Sequence, residues 1–328
     1  MSPPSRRRAL LAASAGLLAA LTQRARAQPA FPVRPVKMLV PHPAGQAADI
    51  FSCMLAERLS AMWGQQVIVD NRPGGAGLPA IAAVKAAKPD GYTTMMGSSS
   101  TLSINASTFS NLPYDTLRDF APVSNVVVAP FVLIANARFP ASTLAEVVAQ
   151  ARKEPGRITF ASTGTGSAQH MTGELFRSRA AIQITHVPYK GSAAGITDLI
   201  GGQVPLMFDS VAATLPFIRS GQVKAIAVTV ARRVPQLPDV VTIAESGYPG
   251  FEGAGWAGIV LPAAAPRAIV IKMSADIQSA LNEPAMRARI IERGAIPDPQ
   301  SPDDFAAFIR SETAKWKRVA QEAQVRLD

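Results

Sequence analysis

Residues 36–49 read VKMLVPHPAGQAAD, a short apolar run that passes into a loop of prolines and small residues. Apolar side chains then recur at helical spacing from Phe51 to Met62, which predicts a helix over about 48–62. A second apolar strand is followed by another small-residue loop, TGTGS at 163–167, and by another predicted helix. Strand–loop–helix units of this kind indicate an α/β fold with mainly parallel strands.

Outward from these units, strands and helices alternate along the chain. The pattern predicts strands at 36–40, 66–70, 92–96, 126–135, 158–162, 184–187, 206–208, 223–229 and 256–261. It predicts helices at 48–62, 78–88, 144–153, 168–178, 193–200, 211–219, 267–281, 284–293 and 303–324. We therefore expect two α/β units with right-handed crossovers, followed by a helical tail.

The first 27 residues have the layout of a secretory signal peptide. Three arginines at 6–8 precede an uncharged apolar stretch at 9–21, and Ala25-Arg26-Ala27 is a small-x-small cleavage signal. Cleavage is expected after Ala27, so that the mature chain begins at Gln28. The paired arginines also fit a twin-arginine signal, which leaves the export route open.

The charge pattern disfavours a nucleic-acid partner. The net charge falls from +10 to +5 without the first 27 residues, which hold five arginines and no acids. The remaining lysines and arginines are scattered, without basic runs or interleaved aromatic residues. A mild positive field of this kind is compatible with an anionic ligand and equally with a role in solubility alone.

The only cysteine is Cys53, so no internal disulfide can form. It lies within the helix predicted over 48–62. We predict that it is a small buried apolar side chain rather than a reactive thiol.

Two loops have the composition of anion sites. Residues 41–49 and 163–170 each leave a strand and enter a helix, where unpaired backbone N–H groups attract anions. A third small polar loop, at 97–101, also leaves a strand, and ligands of such sheets bind beyond the carboxyl ends of the strands. Asp49 and Ser167 can equally be interpreted as helix caps and nothing more.

The chain from about residue 31 onward resembles the substrate-binding proteins of tripartite tricarboxylate transporters, the Bug receptor family. The matching segments run in order: RPV at 34–36, VDNRPG at 69–74, KPDGYT at 88–93, LPYD at 112–115, GELF at 173–176, HVPYKG at 186–191, DLIGGQV at 198–204, LPDV at 237–240 and ESG at 245–247.

This resemblance implies a two-domain periplasmic-binding-protein fold of type II character. Each domain would be a mixed, mainly parallel sheet flanked by helices, with the ligand cleft between the domains. Residues 28–128 and 252–328 would form one domain and residues 129–251 the other. The implied function is a periplasmic receptor that captures a di- or tricarboxylate, an acidic amino acid or an aromatic carboxylate for membrane permease subunits.

The resemblance also implies a set of ligand-binding residues. The family usually has an aromatic residue where His42 stands and a Gly-Gly pair where this chain has Gly45-Gln46, so the selectivity of this loop is open. A side chain at Gly166 is expected to obstruct the ligand. The predicted site comprises His42, Gly45, Gln46, Asp49, Ser98, Ser99, Thr163, Gly164, Gly166, Ser167, His170 and Asp209.

Other functions are less well supported by the sequence. The three histidines lack metal-ligand spacing, and Gly164-x-Gly166 lacks the third glycine of a dinucleotide site, so no metal or cofactor is expected. Ser167 and His170 suggest a secreted hydrolase only weakly, because no G-x-S-x-G elbow surrounds them. A sensory receptor that signals to a membrane partner fits the sequence as well as a transport receptor does. A non-enzymatic monomer is the default expectation.

Overall fold

The computed structural model describes residues 31–327. The elements named below lie in one unit that begins at Arg34. The predicted signal peptide, its cleavage after Ala27 and the start at Gln28 lie outside the described residues.

The described strands are β1 (Val36–Val40), β2 (Val67–Asn71), β3 (Thr93–Ser98), β4 (Phe120–Asn136), β5 (Thr159–Ser162), β6 (Thr185–Pro188), β7 (Leu206–Ser210), β8 (Val223–Val228), β9 (Ala254–Pro262) and β10 (Ile296–Pro297). The described helices are α1 (Ala47–Trp63), α2 (Leu78–Lys85), α3 (Asn105–Thr108), α4 (Thr116–Asp119), α5 (Leu144–Lys153), α6 (Ala168–Ala180), α7 (Ser192–Gly201), α8 (Val211–Arg219), α9 (Arg267–Asn282), α10 (Pro284–Glu292) and α11 (Pro302–Ala323). A 3-10 turn at Gly75–Gly77 precedes α2, and a π-helical turn at Ser100–Ile104 precedes α3.

The strands form two sheets that share β4. In the first sheet, β2, β1 and β3 are parallel neighbours, and β9 and then β4 follow in antiparallel orientation. In the second sheet, β6, β5 and β7 are parallel, and β4 is antiparallel to β7 on one side and to β8 on the other. Ligands of such sheets bind beyond the carboxyl ends of the parallel strands. The loops to examine are therefore those that follow β1, β3, β5 and β6.

Strand β4 carries the chain from one sheet to the other. It pairs with β9 up to Pro130, and from Phe131 onward it pairs with β7 and β8. The junction is reinforced by Thr229, which accepts a hydrogen bond at its carbonyl oxygen from Gly253 N–H (2.9 Å) and donates its N–H to Phe131 O (3.0 Å). The chain therefore passes between the sheets at two neighbouring places. One is within β4, between Pro130 and Phe131, and the other is the segment that joins β8 to β9, from Thr229 to Gly253.

Helix α11 also spans both sheets. Phe305 and Ile309 near its start belong to a core cluster with Leu39 and Trp256 of the first sheet. Trp316, Val319 and Ala320 near its end belong to a cluster on the second sheet. The helix therefore buries its apolar stripe against two cores, and the domain boundary at residue 252 stays a prediction.

Most predicted elements occur within a few residues of their expected positions, but two expectations are wrong. Cys53 is exposed, because it lies on the side of α1 opposite Phe51 and Leu55. β4 begins at Phe120 instead of residue 126, since the polar residues near its start are accommodated by register shifts at Pro122/Ser124 and Asn125/Val127. β9 pairs antiparallel with β3 and β4 beside the parallel pairs, which is the mixed sheet that was expected.

The helices of the described part of the chain are all too short or too polar to cross a membrane.

The hydrogen bonds of Glu312 link helix α11 to strand β9. This buried carboxylate accepts hydrogen bonds from the indole N–H groups of Trp256 and Trp316, each at 3.0 Å, and from Lys315 at 2.9 Å. Glu312→Ala leaves two buried indole donors without an acceptor, and we expect it to lower the free energy of unfolding by about 2–4 kcal/mol. Urea denaturation followed by circular dichroism measures the change.

The exposed Glu322 on the same helix provides the matched control, because Glu322→Ala should change the free energy of unfolding by less than about 0.5 kcal/mol. A loss below about 1 kcal/mol in Glu312→Ala would contradict the role assigned to this carboxylate.

Candidate functional site

A cavity of about 590 Å³ opens between the loops of the two sheets. The first sheet contributes residues after β1, β2 and β3, and the second sheet contributes residues after β5 and β6. The lining residues are Pro41, His42, Pro43, Gln46, Pro73, Gly74, Gly75, Ala76, Gly77, Ser100, Asn105, Thr163, Gly164, Thr165, Gly166, Ser167, Tyr189, Lys190 and Gly191. We call this space the outer cavity.

A smaller space of about 40 Å³, the inner cavity, shares His42, Gln46 and Ser100 with the outer one. Its walls include Ala47 and Ala48, the first residues of α1, and Ala168 and Gln169, the first residues of α6. About 10–15 Å³ of such space holds one water, so the inner cavity has room for a few waters or a carboxylate-sized group. The N-termini of α1, which follows a strand of the first sheet, and of α6, which follows a strand of the second, thus both line the inner cavity.

The two helix N-termini differ in how their N–H groups are satisfied. Gln46 stands at the N-cap of α1 without a capping hydrogen bond from its side chain. Ser167 caps α6 by accepting the N–H of His170 at 3.1 Å. Ser100 Oγ accepts the N–H of Ala168 at 3.0 Å, a hydrogen bond that joins the first sheet's loop to the second sheet's helix.

The loop after β1 is held from behind by Asp49. One carboxylate oxygen accepts the N–H of Gly45 and the other accepts Nδ2 of Asn71, both at 2.8 Å. Asn71 Nδ2 also donates to the carbonyl oxygen of His42 at 3.1 Å. Each carboxylate oxygen of Asp49 thus accepts a hydrogen bond from the loop or from Asn71, and Asp49 supports the loop without lining either cavity.

His42 is the polar aromatic side chain of this loop. Its Nε2 lies 2.8 Å from Ser98 Oγ, and burial lowers its pKa to about 4. The imidazole is therefore neutral at ordinary pH, and it adds no positive charge to the cavity.

The loop after β5 rests on two stacked histidines. His170 and His186 have ring centroids 3.8 Å apart. His170 Nδ1 accepts the N–H of Gly166 at 3.1 Å, and His186 Nε2 lies 2.7 Å from Ser162 Oγ, which in turn accepts the N–H of Gly164 at 3.2 Å. Burial lowers the pKa of His170 to about 3 and that of His186 to about 4.

Gly166 has a further neighbour behind the loop. Its φ is +74°, and a Cβ built on it would lie 2.4 Å from Cδ1 of Leu327 in the C-terminal segment. Leu327 N–H donates to Thr108 O of the first sheet's side at 2.8 Å. A side chain at Gly166 would thus press on the C-terminal segment, which differs from the expected obstruction of the ligand.

Eight of the twelve predicted site residues line one or both of the cavities, and four line neither. The outer cavity is lined by His42, Gln46, Thr163, Gly164, Gly166 and Ser167, and the inner cavity by His42, Gln46, Ser98 and Ser99. Gly45, Asp49, His170 and Asp209 line neither cavity. Asp209 is fully buried, accepts Gln169 Nε2 at 3.2 Å, and has its pKa raised to about 6 by burial.

Several cavity residues were missing from the predicted set. Residues 73–77 were not in the predicted site, although they follow β2, which is parallel to β1, and therefore reach the same edge of the sheet as the loop after β1. Ser100 belongs to the loop predicted to line the cleft, but Asn105 had no sequence signal. Tyr189 was also outside the predicted site; it lines the outer cavity, and its hydroxyl donates a hydrogen bond to Asp198 at 2.9 Å.

The charge of the cavity walls is sparse. No aspartate or glutamate is among the residues that line either cavity, and Lys190 is the one lysine or arginine there. Among residues 31–327, Lys190 has no ion-pair partner, and no group of three histidine, cysteine or acidic side chains could hold a metal. Binding of an anion here would depend mainly on backbone N–H groups and hydroxyls.

Comparison with known families identifies a match over most of the chain. A family model described as tripartite tricarboxylate transporter family receptor matches residues 52–325. Among curated proteins, BugT of Bordetella pertussis is 35% identical over 298 residues, which are 90% of this chain and 91% of BugT.

Solved structures are similar over the same extent. Rpa4515 of R. palustris with adipate has a TM-score of 0.88 at 33% identity, covering 90% of this chain and 99% of that one. The periplasmic binding protein BugD has a TM-score of 0.84 at 34% identity, covering 90% and 99%. MatC from Rhodopseudomonas palustris with bound malate has a TM-score of 0.82 at 30% identity, covering 88% and 99%. These likenesses confirm the predicted two-domain periplasmic-binding-protein fold.

The buried histidines make stability depend on pH. The pKa values of His42 and His170 are lower in the folded chain than the value of about 6.5 in the unfolded chain. Between pH 6.5 and 4 the unfolded chain therefore binds more protons, and the free energy of unfolding falls as the pH falls. We expect each of the two to contribute about 1.4 kcal/mol per pH unit in this window.

Chemical denaturation at a series of pH values measures this slope. Carboxylates titrate in the same pH range, and the variant His42→Gln isolates the contribution of one histidine from theirs. In this variant, the slope of the free energy of unfolding against pH should be smaller by the contribution of about one proton. Equal slopes for the variant and the parent would mean that His42 keeps an ordinary pKa in the folded protein.

Proposed function

Because the chain belongs to the tripartite tricarboxylate transporter receptor family, whose members are solute-binding proteins, we propose that it captures a small carboxylate between its two sheets. The receptors of this family are periplasmic, and the proposed role of this chain is to deliver the carboxylate to membrane permease subunits.

The observation that carries the proposal is the inner cavity between two helix N-termini. Both N-termini contribute the positive end of a helix dipole, which stabilises an anion. The first N–H groups of α1 have no capping side chain, whereas at α6 the N–H groups of Ala168 and His170 already donate to Ser100 and Ser167. Ala47 and Ala48 on one side and Ala168 on the other add no side chain that would block a carboxylate group. One carboxylate would occupy the inner cavity, and the rest of the ligand would extend into the outer one.

The size of the outer cavity suits small metabolites. Its volume of about 590 Å³ lies in the usual range of roughly 300–1,000 Å³ for small-ligand pockets. Relatives of the same fold hold adipate and malate, two dicarboxylates of different length. Lys190, at the edge of the outer cavity, is placed to attract a second anionic group.

The proposal extends to location and partners. Export through the signal peptide at 1–27, cleavage after Ala27 and a monomeric mature chain fit a receptor that shuttles between ligand and membrane. A sensory role would use the same ligand site with a different membrane partner. Co-purification of the ligand-bound protein with permease subunits, compared with a sensor protein, distinguishes the two.

We further propose that the chain is not an enzyme. Two pairs resemble a base and a nucleophile, His42 with Ser98 and His186 with Ser162. Neither histidine has a carboxylate partner among the described residues, and burial lowers the pKa of each to about 4, which makes both weak bases. The ring of His170 contacts Gly166 N–H rather than the hydroxyl of Ser167. Turnover of carboxylate esters that disappears in Ser98→Ala would contradict this proposal.

The first test is a thermal-shift screen of the purified protein, refolded from denaturant to remove any bound ligand, against small carboxylates and their amides. A carboxylate at 100 times its dissociation constant should stabilise the protein by about 2.7 kcal/mol. The matched amide should give a much smaller shift, because it lacks the negative charge that the helix N-termini stabilise. Equal shifts from acid and amide, or none from any acid, would contradict the proposed function.

The second test concerns the place where the two sheets meet around the ligand. Gly191 has φ +107°, and a Cβ on it would lie 3.2 Å from Gln46 Nε2 and 3.3 Å from Pro43 Cγ across the cleft. Gly191→Ala should therefore weaken carboxylate binding several-fold, as measured by calorimetry, because the loops can no longer approach as closely.

Gly221→Ala is the matched control, since Gly221 also has a positive φ (+72°) but has open space where a Cβ would be. Both variants should lose stability from the strained backbone, roughly 1–2 kcal/mol. Equal affinity in Gly191→Ala and Gly221→Ala would mean that this contact does not close the site.

A further inference from the structure

The C-terminal segment, residues 324–327, passes next to the loop that follows β5. Where helix α11 ends, Gln324 adopts the left-handed conformation (φ 55°) that commonly closes a helix. Val325 packs against the core cluster of the second sheet. The N–H of Leu327 donates to the carbonyl oxygen of Thr108, the last residue of α3, at 2.8 Å. The segment is therefore held by the second sheet through Val325 and by the first sheet's helix α3 through Leu327.

The side chain of Leu327 lies against Gly166 of that loop. A Cβ built on Gly166 would lie 2.4 Å from Cδ1 and 3.2 Å from Cγ of Leu327. Because a Cβ is only one bond away from its Cα, the leucine methyl group is within van der Waals reach of the Gly166 Cα. Leu327 is partly buried and is not among the residues that line the two cavities. It therefore contacts the loop from outside the ligand space.

The loop has few side chains with which to fix its own position. Gly164 and Gly166 have φ values of +134° and +74°, and neither carries a side chain that could pack. Their N–H groups donate to Ser162 Oγ at 3.2 Å and to His170 Nδ1 at 3.1 Å, respectively. These hydrogen bonds hold the loop to its own sheet. The contact with Leu327 adds a support that comes from the first sheet's side.

The position of Gly166 matters for both cavities. Residues 163–167 line the outer cavity, and the next two residues, Ala168 and Gln169, line the inner one. Periplasmic binding proteins close around their ligands by a hinge motion of two lobes. A contact that reaches from the first sheet's side to this loop is made in the closed arrangement, and an opening cleft would separate its partners.

We propose that Leu327 is a positioning residue of the ligand site: it supports Gly166 from the first sheet's side and thereby favours the closed arrangement that holds the carboxylate. This inference rests on the proposed function, because it assumes that a carboxylate occupies the two cavities. Coupling between two sites is reciprocal, so a bound carboxylate would in turn hold the C-terminal segment more firmly.

The first experiment needs no ligand. Hydrogen exchange followed by NMR gives the exchange rate of the Gly166 N–H, which is protected by its hydrogen bond to His170. In Leu327→Ala this rate should rise roughly threefold to tenfold, because the shortened side chain no longer limits local opening of the loop. Leu327→Met retains an apolar contact of similar volume and should keep the parent rate. Ile271→Ala, which shortens an aliphatic side chain that is 51% exposed on α9, is the matched control and should leave the rate unchanged.

The second experiment measures ligand binding by calorimetry in the parent protein and the same three variants. The probes are adipate and malate, which relatives of the same fold hold, and the acid with the largest thermal shift replaces them if neither binds. Leu327→Ala should weaken binding roughly threefold to tenfold, because a smaller fraction of the protein is in the closed, binding-competent arrangement. Leu327→Met and Ile271→Ala should keep the parent affinity. In the parent protein, the bound acid should slow exchange of the Leu327 N–H.

A double-mutant cycle tests the contact itself. Gly166→Ala would place a methyl group against Cδ1 of Leu327, and the Leu327→Ala background relieves this conflict. Gly166→Ala should therefore reduce affinity by a smaller factor in the Leu327→Ala background than in the parent protein. Gly164→Ala is the matched control, since the nearest neighbour of a Cβ there is Tyr189 O, at an ordinary contact distance of 3.5 Å. Its effect on affinity should be the same in both backgrounds.

The outcomes distinguish this inference from the proposed function. Unchanged exchange of the Gly166 N–H in Leu327→Ala would overturn the support by Leu327, whichever ligand binds. Faster exchange with unchanged affinity would overturn its role in the ligand site and leave the receptor function intact. Additive effects of Gly166→Ala and Leu327→Ala would overturn the contact and favour direct obstruction of the ligand at Gly166. If no carboxylate binds the parent protein, the proposed function fails, and the ligand role of Leu327 fails with it.

Discussion

The shared direction of the parallel strands is the constraint on which the rest of the site depends. Because β1 and β3 run parallel in one sheet and β5 and β6 in the other, their following loops collect at the edges that face the cleft. The helices that follow two of these loops must begin there, with their first N–H groups unpaired by the helix itself. The inner cavity is the place where those two groups of donors meet.

The sequence allowed this part of the site to be predicted because its signals are local. A short apolar strand, a loop of small residues and an amphipathic helix identify α1 and α6 from a few residues each. Asn105 could not be predicted, because its place depends on a π turn and on the distant Ala76 and Tyr114. Cys53 was placed wrongly for a related reason: membership of an amphipathic helix does not say which side of it a single small residue occupies.

The family resemblance supplied the residues of the site but not their roles. Asp49 and His170 were grouped with the ligand contacts, yet each has its hydrogen-bonding atoms engaged with the loop that it supports. Asp49 and His170 line neither cavity and support the loops beside the cavities, whereas Gln46 and Ser98 line the inner cavity themselves. The sequence could not distinguish a residue that supports a loop from a residue that lines a cavity, because the two kinds lie only a few positions apart in the same segment.

A site with so little charge must obtain its selectivity from the placement of dipoles. Burial lowers the pKa values of His42 and His170, so both are neutral, and the proposed anion site is left with fixed N–H groups and hydroxyls rather than a histidine cation. Such donors are directional, and they are worth most where water is excluded. Gln46 increases this exclusion, because its largely buried side chain lies in the walls of both cavities and approaches Gly191 of the other sheet. A bare glycine at the same position would leave the inner and outer cavities more widely connected, so the glutamine narrows the passage between the two cavities that the proposed carboxylate would share.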